Sequence, residues 1–412
     1  MRAIMVKEFQ ELRRDRRTLA LLIVMPLVLL IIFGYAANFT VDHLTVAVYG
    51  SSAQDVTKLI NDNAKLKDHL TVIVTDTSGT KDDATTELRN DKADVAIYAV
   101  PGSGAGTPLT ADVYIDGSNL FAAQAAKTIF AQVQQQIAMQ AAQAQASAPP
   151  GTVVPVPQLT VSVLFNPDLK TSWVMIPAII GLILTFIGTI ITSIGLVRER
   201  EAGTLEQLAV MPLRASAVVM GKITPYFLLA CFDMVLITTL GLLLFGVPFN
   251  GSPWIFAVGA GLFLFVVLGL GVLISSVSRT TGQSIQLAFM ILLPQILLSG
   301  MIFPLSAMAA GVRWIGYLLP LTWFTMVSQG VMIRGAGWDS LWFPIVILAV
   351  MAVVIFGLAV VRLSRSISPV RQRRAPSSGA PSPEPASPEP SSSEAPSREP
   401  ATSKAASSEA AA

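Results

Sequence analysis

The chain has 412 residues, of which 52% are apolar and only 13% are charged. Soluble domains carry roughly 25% charged residues, so this composition excludes an ordinary soluble protein and predicts one built for lipid. The formal net charge of +2 argues neither for nor against nucleic acid, and we expect no nucleic-acid partner. A single cysteine, Cys231, excludes a disulfide within the chain, and with only His43 and His69 as histidines we expect no metal site.

The first 37 residues are predicted to form a surface helix followed by a membrane span. Residues 1–18 place apolar side chains at helical spacing and end in the run Arg13-Arg14-Asp15-Arg16-Arg17, which suits an anionic cytoplasmic surface. Residues 19–37 are apolar and close to the length of one span. A cleaved secretory signal is the alternative, because Ala36 and Ala37 follow the apolar run. As an uncleaved span after arginines, the segment places the N-terminus inside.

Residues 38–172 are predicted to form a water-soluble α/β domain outside the membrane. They carry thirteen acidic and eight basic residues, a net of −5, and both histidines. Strands are predicted at 44–49, 70–74, 93–100, 109–115 and 159–165, and helices at 54–69, 82–91 and 119–146, with Asn119 or Ser118 as the cap of the last helix. The segment 101–108 has the composition of a loop. The domain contains no recognisable nucleophile–base pair, metal-ligand spacing or glycine fingerprint, so its function is not legible.

Residues 173–363 are predicted to hold five further spans, at 173–197, 218–245, 254–277, 284–303 and 341–363. Residues 304–338 are too polar for one span and too apolar for a free loop. Pro304, Gly311, Gly316, Pro320 and Gly330 divide this segment, which predicts two short re-entrant helices in the outer leaflet. The last span ends among arginines, which places the C-terminus inside. Residues 364–412 include a Pro/Ser/Ala/Glu-rich tail that is predicted to be a disordered cytoplasmic segment.

The predicted fold class is therefore an all-α polytopic membrane protein with six transmembrane helices, both termini inside, and an inserted extracytoplasmic α/β domain. The location that follows is the cell membrane, with multiple passes. The lipid bilayer is its first predicted partner.

A short charged stretch between the second and third predicted spans is the leading candidate for function. It runs from Arg198 to Leu208 and closes at 211–214, and its paired charges place it in water at the membrane surface. Leu205 and Leu208 share one face of a short helix, which favours docking into a soluble partner. The candidate coupling residues are Glu199, Arg200, Glu201, Gly203, Thr204, Leu205, Glu206 and Leu208. Gly203 is interpreted as a break and Thr204 as a helix cap; a solvated turn is the alternative.

Two further residues are candidates for a substrate path, and no catalytic residue is expected. Asp233 is the one acid well inside a predicted span, so it should face protein or a wet cavity. The favoured interpretation is a hydrogen bond to a Ser or Thr of a neighbouring span, and a proton or cation site is the alternative. Arg313 and Arg334 are predicted to anchor at lipid headgroups, with a role at an exit path as the alternative.

Four stretches of this layout resemble the membrane subunit of ABC type-2 exporters, over roughly residues 1–366. The first is Lys7-Glu8-Phe9 together with residues 14–19 and 25–27, and the second is Phe165-Asn166-Pro167-Asp168-Leu169 together with residues 175–177. The third is Arg198 to Leu208 together with residues 211–213, and the fourth is Leu298 to Pro304 together with residues 319–322. The third is the most specific. The resemblance implies that 198–214 contains the coupling helix that contacts an ATPase subunit, and that the segment from Pro304 onward matches the re-entrant helices.

The resemblance also implies partners and a role. The chain has no Gly-x-x-x-x-Gly-Lys-Ser/Thr phosphate loop, since its one Gly-Lys pair, Gly221-Lys222, is followed by Ile223. ATP and Mg²⁺ are therefore expected on two copies of a separate ABC ATPase subunit, with no cofactor bound directly and a homodimer of this chain. The expected function is efflux of a drug, lipid or polymer precursor.

Two rival readings of the sequence remain open. The first is a membrane scaffold that displays residues 38–172 to an external partner. The second is an ion-coupled carrier that uses Asp233. The absence of two matching halves in the order of spans counts mildly against the carrier.

Overall fold

The computed structural model describes residues 43–101, 109–149, 154, 156–202 and 215–367, without the side chains of 215–220, 222 and 363–367. The predicted surface helix, the predicted first span and the predicted tail from residue 368 onward lie outside the described residues. So does the segment 203–214, which contains most of the predicted coupling helix.

Residues 44–164 form a five-stranded sheet with helices on both faces. The strands are β1 Leu44–Tyr49, β2 Leu70–Asp76, β3 Val95–Val100, β4 Thr110–Asp116 and β5 Gln158–Leu164, in the order β2-β1-β3-β4-β5. Strands β2, β1 and β3 are parallel, β4 is antiparallel to β3, and β5 is parallel to β4. The helices are α1 Ala53–Asp62, α2 Ala64–Lys67, α3 Lys81–Arg89 and α4 Leu120–Ser147.

The alternating pattern of the strands explains how both sheet faces are buried. Val46, Val48 and Ile97 pack with α1 and α4 on one face, while Ala47 and Ala96 pack with Leu88 of α3 on the other. Asn119 caps α4 by accepting a hydrogen bond from Ala122 N–H at 3.3 Å. The predicted helix 54–69 is instead two helices, because Asn63 takes an extended conformation between α1 and α2.

Five helices of the described chain are long and apolar enough to cross a membrane. They are α5 Thr171–Glu201, α6 Ala215–Phe245, α7 Pro253–Val277, α8 Thr281–Leu298 and α11 Trp338–Ile367. The predicted end of the fifth span at residue 303 is wrong. Helix α8 ends at Leu298, because Ser299 is its C-cap and Gly300 takes a left-handed conformation with φ +86°.

Between α8 and α11 the chain forms short helices, as its proline and glycine content predicts. These are a 3₁₀ turn Leu305–Ala307, α9 Ala310–Tyr317, α10 Pro320–Gln329 and a π turn Gly330–Arg334. Gly311 and Gly316 do not divide the segment, since both lie inside α9. Pro320 begins α10 at a position where its missing N–H costs nothing.

The core of the membrane-spanning part lies where α10 packs among α5, α7 and α11. Phe324 of α10 is fully buried and stacks on Phe263 of α7 with ring centroids 4.4 Å apart. Gln329 and Ser328 donate hydrogen bonds to the carbonyl oxygens of Val174 and Pro177 on α5 at 2.9 and 3.3 Å. Helix α10 is therefore anchored to α5 by polar contacts as well as by packing.

The α/β domain joins α5 through a tight turn built on Asn166. This fully buried residue accepts a hydrogen bond from Lys170 N–H at 2.9 Å and donates to the carbonyls of Lys170 and Gly117 at 3.1 and 3.4 Å. Phe165 and Leu169 on either side take positive φ values. The Phe165-to-Leu169 motif thus provides the junction between β5 and the membrane-spanning helix.

Candidate functional site

The charged end of α5 is bonded to the turn between α7 and α8. The Arg200 Nη1 group donates to the carbonyl oxygens of Ser275 and Ser278 at 3.1 and 2.8 Å. These carbonyls belong to the C-terminal end of α7, where a cation is favoured by the helix dipole and by carbonyls without helical partners. Arg200 thereby caps α7 from another span.

Glu201 makes the matching contact to the start of α8. Its carboxylate accepts hydrogen bonds from the backbone N–H and from Oγ1 of Thr281, both at 2.9 Å. Thr281 is the first residue of α8, where an acidic group is favoured by the helix dipole. Arg200 and Glu201 together form a joint between α5 and the α7–α8 turn, which we call the α5 joint.

The structure describes three of the eight residues predicted for ATPase coupling. Glu199, Arg200 and Glu201 lie in the last turn of α5, and Ala202 is its C-cap. Gly203, Thr204, Leu205, Glu206 and Leu208 lie outside the described residues. Sequence reasoning singled out Arg200 and Glu201 but missed Thr281, whose position at the start of a span gave no signal of a contact 80 residues away.

At the opposite ends of the helices, Arg334 bonds to the α/β domain. Its Nη1 lies 2.9 Å from Asp91 Oδ1, 3.9 Å from Asp116 Oδ2 and 3.2 Å from Ser118 Oγ. The predicted headgroup anchoring of Arg334 is wrong, because the residue is only 7% exposed and faces carboxylates rather than lipid. We call Arg334, Asp91, Asp116 and Ser118 the Arg334 cluster.

The π turn before α11 explains how Arg334 reaches the domain. Gly335 ends this turn in a left-handed conformation with φ +63°. Asn250, between α6 and α7, bonds to the turn through its backbone N–H to the Met332 carbonyl at 3.1 Å and its side-chain amide to the Ile333 carbonyl at 2.8 Å. The turn is thus held from a second side.

Burial sets the electrostatics of the Arg334 cluster. Asp116 is 2% exposed, and burial raises the pKa of its carboxyl from 3.8 to about 6, although Arg334 and the Ser118 hydrogen bonds act in the opposite direction. Asp91 is half exposed and takes a left-handed conformation with φ +58°. Aspartate tolerates this conformation better than most residues, and here it ends α3, because Asp91 follows the C-cap Asn90 and Lys92 N–H donates back to the Glu87 carbonyl at 3.2 Å.

Three residues of the Arg334 cluster, Asp91, Ser118 and Arg334, form one wall of a cavity of about 250 Å³ between the α/β domain and the membrane-spanning part. The other walls come from the first turns of α4 and α5, from residues 299–306 after α8, and from α9 and α10. Sequence reasoning missed this cavity, because its walls come from segments far apart in the chain.

The two predicted substrate-path residues do not lie together. Asp233 on α6 is half buried beside a space of only about 10 Å³, shared with Thr192 and Tyr226, which is about enough for one water molecule. The Thr192 hydroxyl has no hydrogen-bond partner in the described part of the chain, so it does not form the predicted bond with Asp233. Arg313 is exposed on α9.

A narrow crevice lies between α5 and α8. Gln295 of α8 is fully buried, and neither its Nε2 nor its Oε1 has a hydrogen-bond partner among the residues described. Thr189 Oγ1 of α5 lines the same crevice and also lacks a described partner. Beside the crevice, the exposed rings of Phe186 and Phe289 meet edge to face at 5.7 Å.

These features define a class of protein. The chain is a multi-pass membrane protein whose spans carry a charged joint at one end and a folded α/β domain bonded to the other. Within the described residues, no group of His, Cys, Asp or Glu could hold a metal ion.

The family follows from comparison with known proteins. The model for the ABC-2 family transporter protein matches residues 16–361, and the chain belongs to this family. It is 28% identical over 352 residues to "Probable multidrug ABC transporter permease YbhR" of Escherichia coli K12, covering 83% of this chain and 93% of that protein. The related YbhS of the same strain is 28% identical over 376 residues, covering 89% and 97%.

A more distant relative comes from a eukaryote. "ABC transporter G family member 20" of Dictyostelium discoideum is 26% identical over 215 residues, which is 52% of this chain and 30% of that protein. The family membership confirms the resemblance read from the four sequence motifs. This chain is therefore the membrane subunit of an ABC transporter in the inner membrane, and its family implies an ABC ATPase as partner.

Proposed function

We propose that this permease exports a drug-like, lipid or polymer-precursor substrate from the cytoplasm, using ATP hydrolysed with Mg²⁺ on two separate ATPase subunits. The observation that carries the proposal is the α5 joint. A push on residues 198–214 would reach α5 directly, and through Arg200 and Glu201 it would reach the ends of α7 and α8 as well. One contact at the membrane surface would thus move three spans.

The coupling role of residues 199–208 forms part of this proposal. Arg200 and Glu201 serve it by linking spans within the chain. Leu205 and Leu208 serve it by docking into the ATPase, because two leucines on one face of a short helix favour a protein groove. Glu199 and Glu206 add charge at that contact.

Two copies of the chain would enclose the substrate between them. The exposed rings of Phe186 on α5 and Phe289 on α8 support this arrangement, because they meet at 5.7 Å and offer an apolar surface to a second copy.

The test is a pair of substitutions assayed in membrane vesicles that carry the chain and its ATPase. Leu205→Asp should leave the chain inserted but weaken ATPase binding, and Glu201→Arg should leave it inserted but abolish ATP-driven substrate movement. Phe245→Ala, at an exposed position on α6, is the matched control. Normal transport and full ATPase binding in both variants would contradict the coupling assignment. Transport that continues without ATP and stops on Asp233→Asn would favour the ion-coupled carrier.

A further inference from the structure

A second and larger cavity lies within the α/β domain, between helices α1 and α4. Its volume is about 350 Å³, which falls within the range of small-molecule sites, roughly 300–1,000 Å³. The sheet forms its floor, and the facing sides of the two helices form its walls. We call this space the α1–α4 groove; its walls include Val56, Leu59, Ile60, Phe130, Val133 and Ile137.

The lining of the α1–α4 groove is apolar from the floor to the opening. Ile97 and Ala111 on the floor are 3% and 5% exposed. Val133 and Ile137 on the α4 wall are half-buried, and Leu59 on the α1 wall is 61% exposed. Exposure therefore increases from the floor outward, so the groove is open to water. A ligand that enters it removes this apolar surface from water, which favours binding.

The charges of the domain lie away from the groove. None of the described residues that line it is charged, although α1 carries Asp55, Lys58 and Asp62 at other positions. On the opposite wall, α4 has no charged residue from Thr128 to Ser147. A charged group that leaves water needs an opposite charge nearby, and this lining provides none. The groove therefore favours a neutral ligand.

The polar groups that line the groove are amides on exposed residues. Gln136 and Gln140 come from α4, and Gln158 comes from the start of β5. A side-chain amide can donate and accept hydrogen bonds, so it suits uncharged groups such as hydroxyls and esters. A ligand with an apolar chain and an uncharged polar head matches both parts of the lining.

The volume of the groove distinguishes a chain-like ligand from a docked helix. One turn of an α-helix is about 5.4 Å long and about 10–12 Å across, so it occupies roughly 420–610 Å³. The groove offers only about 350 Å³. A helix of a partner protein or of a second copy is therefore too large for the space between α1 and α4, whereas an extended hydrocarbon chain is not.

From these features we infer that the α1–α4 groove binds the acyl chain of a neutral single-chain amphiphile, of which a monoacylglycerol is an example. The chain contacts Ile97, Val133 and Ile137, and the uncharged head bonds to the Gln136 and Gln140 amides. This binding goes beyond the proposed function, because it requires neither ATP nor an ATPase.

The test is photolabelling of the full chain in lipid nanodiscs with a monodecanoylglycerol that carries a diazirine in its acyl chain. Mass spectrometry of the digested protein locates the label, and unlabelled monodecanoylglycerol competes. We expect displaceable label on α1 and α4, whereas probe dissolved in the lipid labels the spans without displacement. The absence of displaceable label from both helices would overturn the inference and leave the groove to an apolar segment of a partner protein.

Chain length and head-group charge test the class of ligand. Referred to the free aqueous concentration, competition should strengthen about fourfold for each added methylene, which corresponds to about 0.8 kcal/mol per buried CH₂, until the groove is full. Decanoate should compete at least about tenfold more weakly than monodecanoylglycerol, because the groove provides no cation for its carboxylate. Competition that is independent of chain length, or equal for decanoate, would contradict the inference.

Two variants locate the amphiphile in the groove. Val133→Trp fills the space from the α4 wall and should abolish the displaceable label. Leu59→Gln, at an exposed position that spares the core, should weaken the label several-fold. Met139→Trp places the same ring at an exposed position of α4 outside the groove, so it should leave the label unchanged. Full displaceable label in both groove variants would show that the amphiphile binds elsewhere.

Discussion

At the scale of single residues, the contact between Arg334 and Asp116 is one of the bonds that hold the α/β domain to the spans. Both side chains are almost fully buried, at 6% and 2% exposure, and Asp116 depends on Arg334 for compensation of its charge, while Arg334 also pairs with Asp91 at 2.9 Å. Removing one partner of a buried ion pair destabilises the folded state by more than the intact pair stabilises it, because the remaining charge is left in a medium of low polarity.

Arg334→Met should destabilise the chain by about 3–5 kcal/mol, because it removes the cation that faces Asp116 while keeping the side-chain bulk. Combining Arg334→Met with Asp116→Asn should restore part of the lost stability. Arg313→Met, at an exposed arginine of the neighbouring α9, is the control. Thermal unfolding followed by tryptophan fluorescence in nanodiscs measures all four proteins. Equal unfolding temperatures for the wild type and Arg334→Met would show that the cluster contributes nothing to stability.

Asp116 also predicts a pH dependence. Because its folded pKa of about 6 lies above the ordinary 3.8, the folded state binds the proton more tightly than the unfolded state. Its contribution to stability is therefore fully present below about pH 4 and is lost as the pH rises through 6. The shift corresponds to roughly 3 kcal/mol. The difference in unfolding free energy, Asp116→Asn minus wild type, should increase between pH 4 and pH 6 and stay constant above pH 6. A difference that does not change with pH would contradict the raised pKa.

At the scale of helices, glycines allow α7 to approach its neighbours. A Cβ at Gly271 would lie 2.8 Å from Thr192 Cβ and 3.0 Å from the Thr189 carbonyl of α5, and one at Gly269 would lie 2.8 Å from Ile355 of α11. Small residues serve close helix packing in membranes in the same way. Gly261 on the same helix differs, because no described residue lies within 4 Å of its Cβ position.

Gly271→Leu should lower the unfolding temperature and reduce the yield of folded protein, because the new side chain meets the backbone of α5. Gly261→Leu is the matched control on the same helix, and it should change little, since no residue in the described part of the chain lies within 4 Å of its Cβ position. Size-exclusion profiles of both variants in detergent provide the measurement. Similar losses in both variants would mean that helix propensity rather than packing is responsible.

The α5 joint makes a second prediction at this scale. Thr281→Val removes the hydroxyl that donates to Glu201 Oε2 but keeps the backbone N–H bond to Oε1. ATPase binding should be retained, while transport for each ATP hydrolysed should fall several-fold, since only the link to α8 is weakened. Thr239→Val, whose hydroxyl bonds within its own helix α6, is the control. Loss of ATPase binding in Thr281→Val would place Thr281 in the docking surface itself.

At the scale of the whole molecule, local patterns predicted the elements well and the contacts between them poorly. Alternating apolar residues located β1 at Leu44–Tyr49 to the residue, and the apolar runs located all five described spans to within a few residues, except for the end of α8. The α8 end was missed because Ser299 and Gly300 stop the helix inside an apolar run, where hydropathy does not change.

Of the two candidate sites, the sequence predicted the one that depends on a local pattern and missed the one that depends on contacts between distant segments. The charged residues at the end of α5 were predicted because a charged turn between two spans has a direct physical meaning. The Arg334 cluster was not predicted, since Ser118 and Arg334 are 216 positions apart and their contact depends on how the domain docks on the spans. An arginine in an outer loop gives the same local signal whether it faces lipid headgroups or buried carboxylates.

The central claim is that an ATPase drives this membrane subunit through the end of α5. The most direct measurement is purification of the tagged full chain from its native membrane in mild detergent, assayed for a bound ABC ATPase and for vanadate-sensitive ATP hydrolysis. The account predicts a stoichiometric ATPase, lost on Leu205→Asp and retained in the Phe245→Ala control. A chain that purifies without any ATPase and without hydrolysis would contradict the account and leave the α/β domain as the functional part.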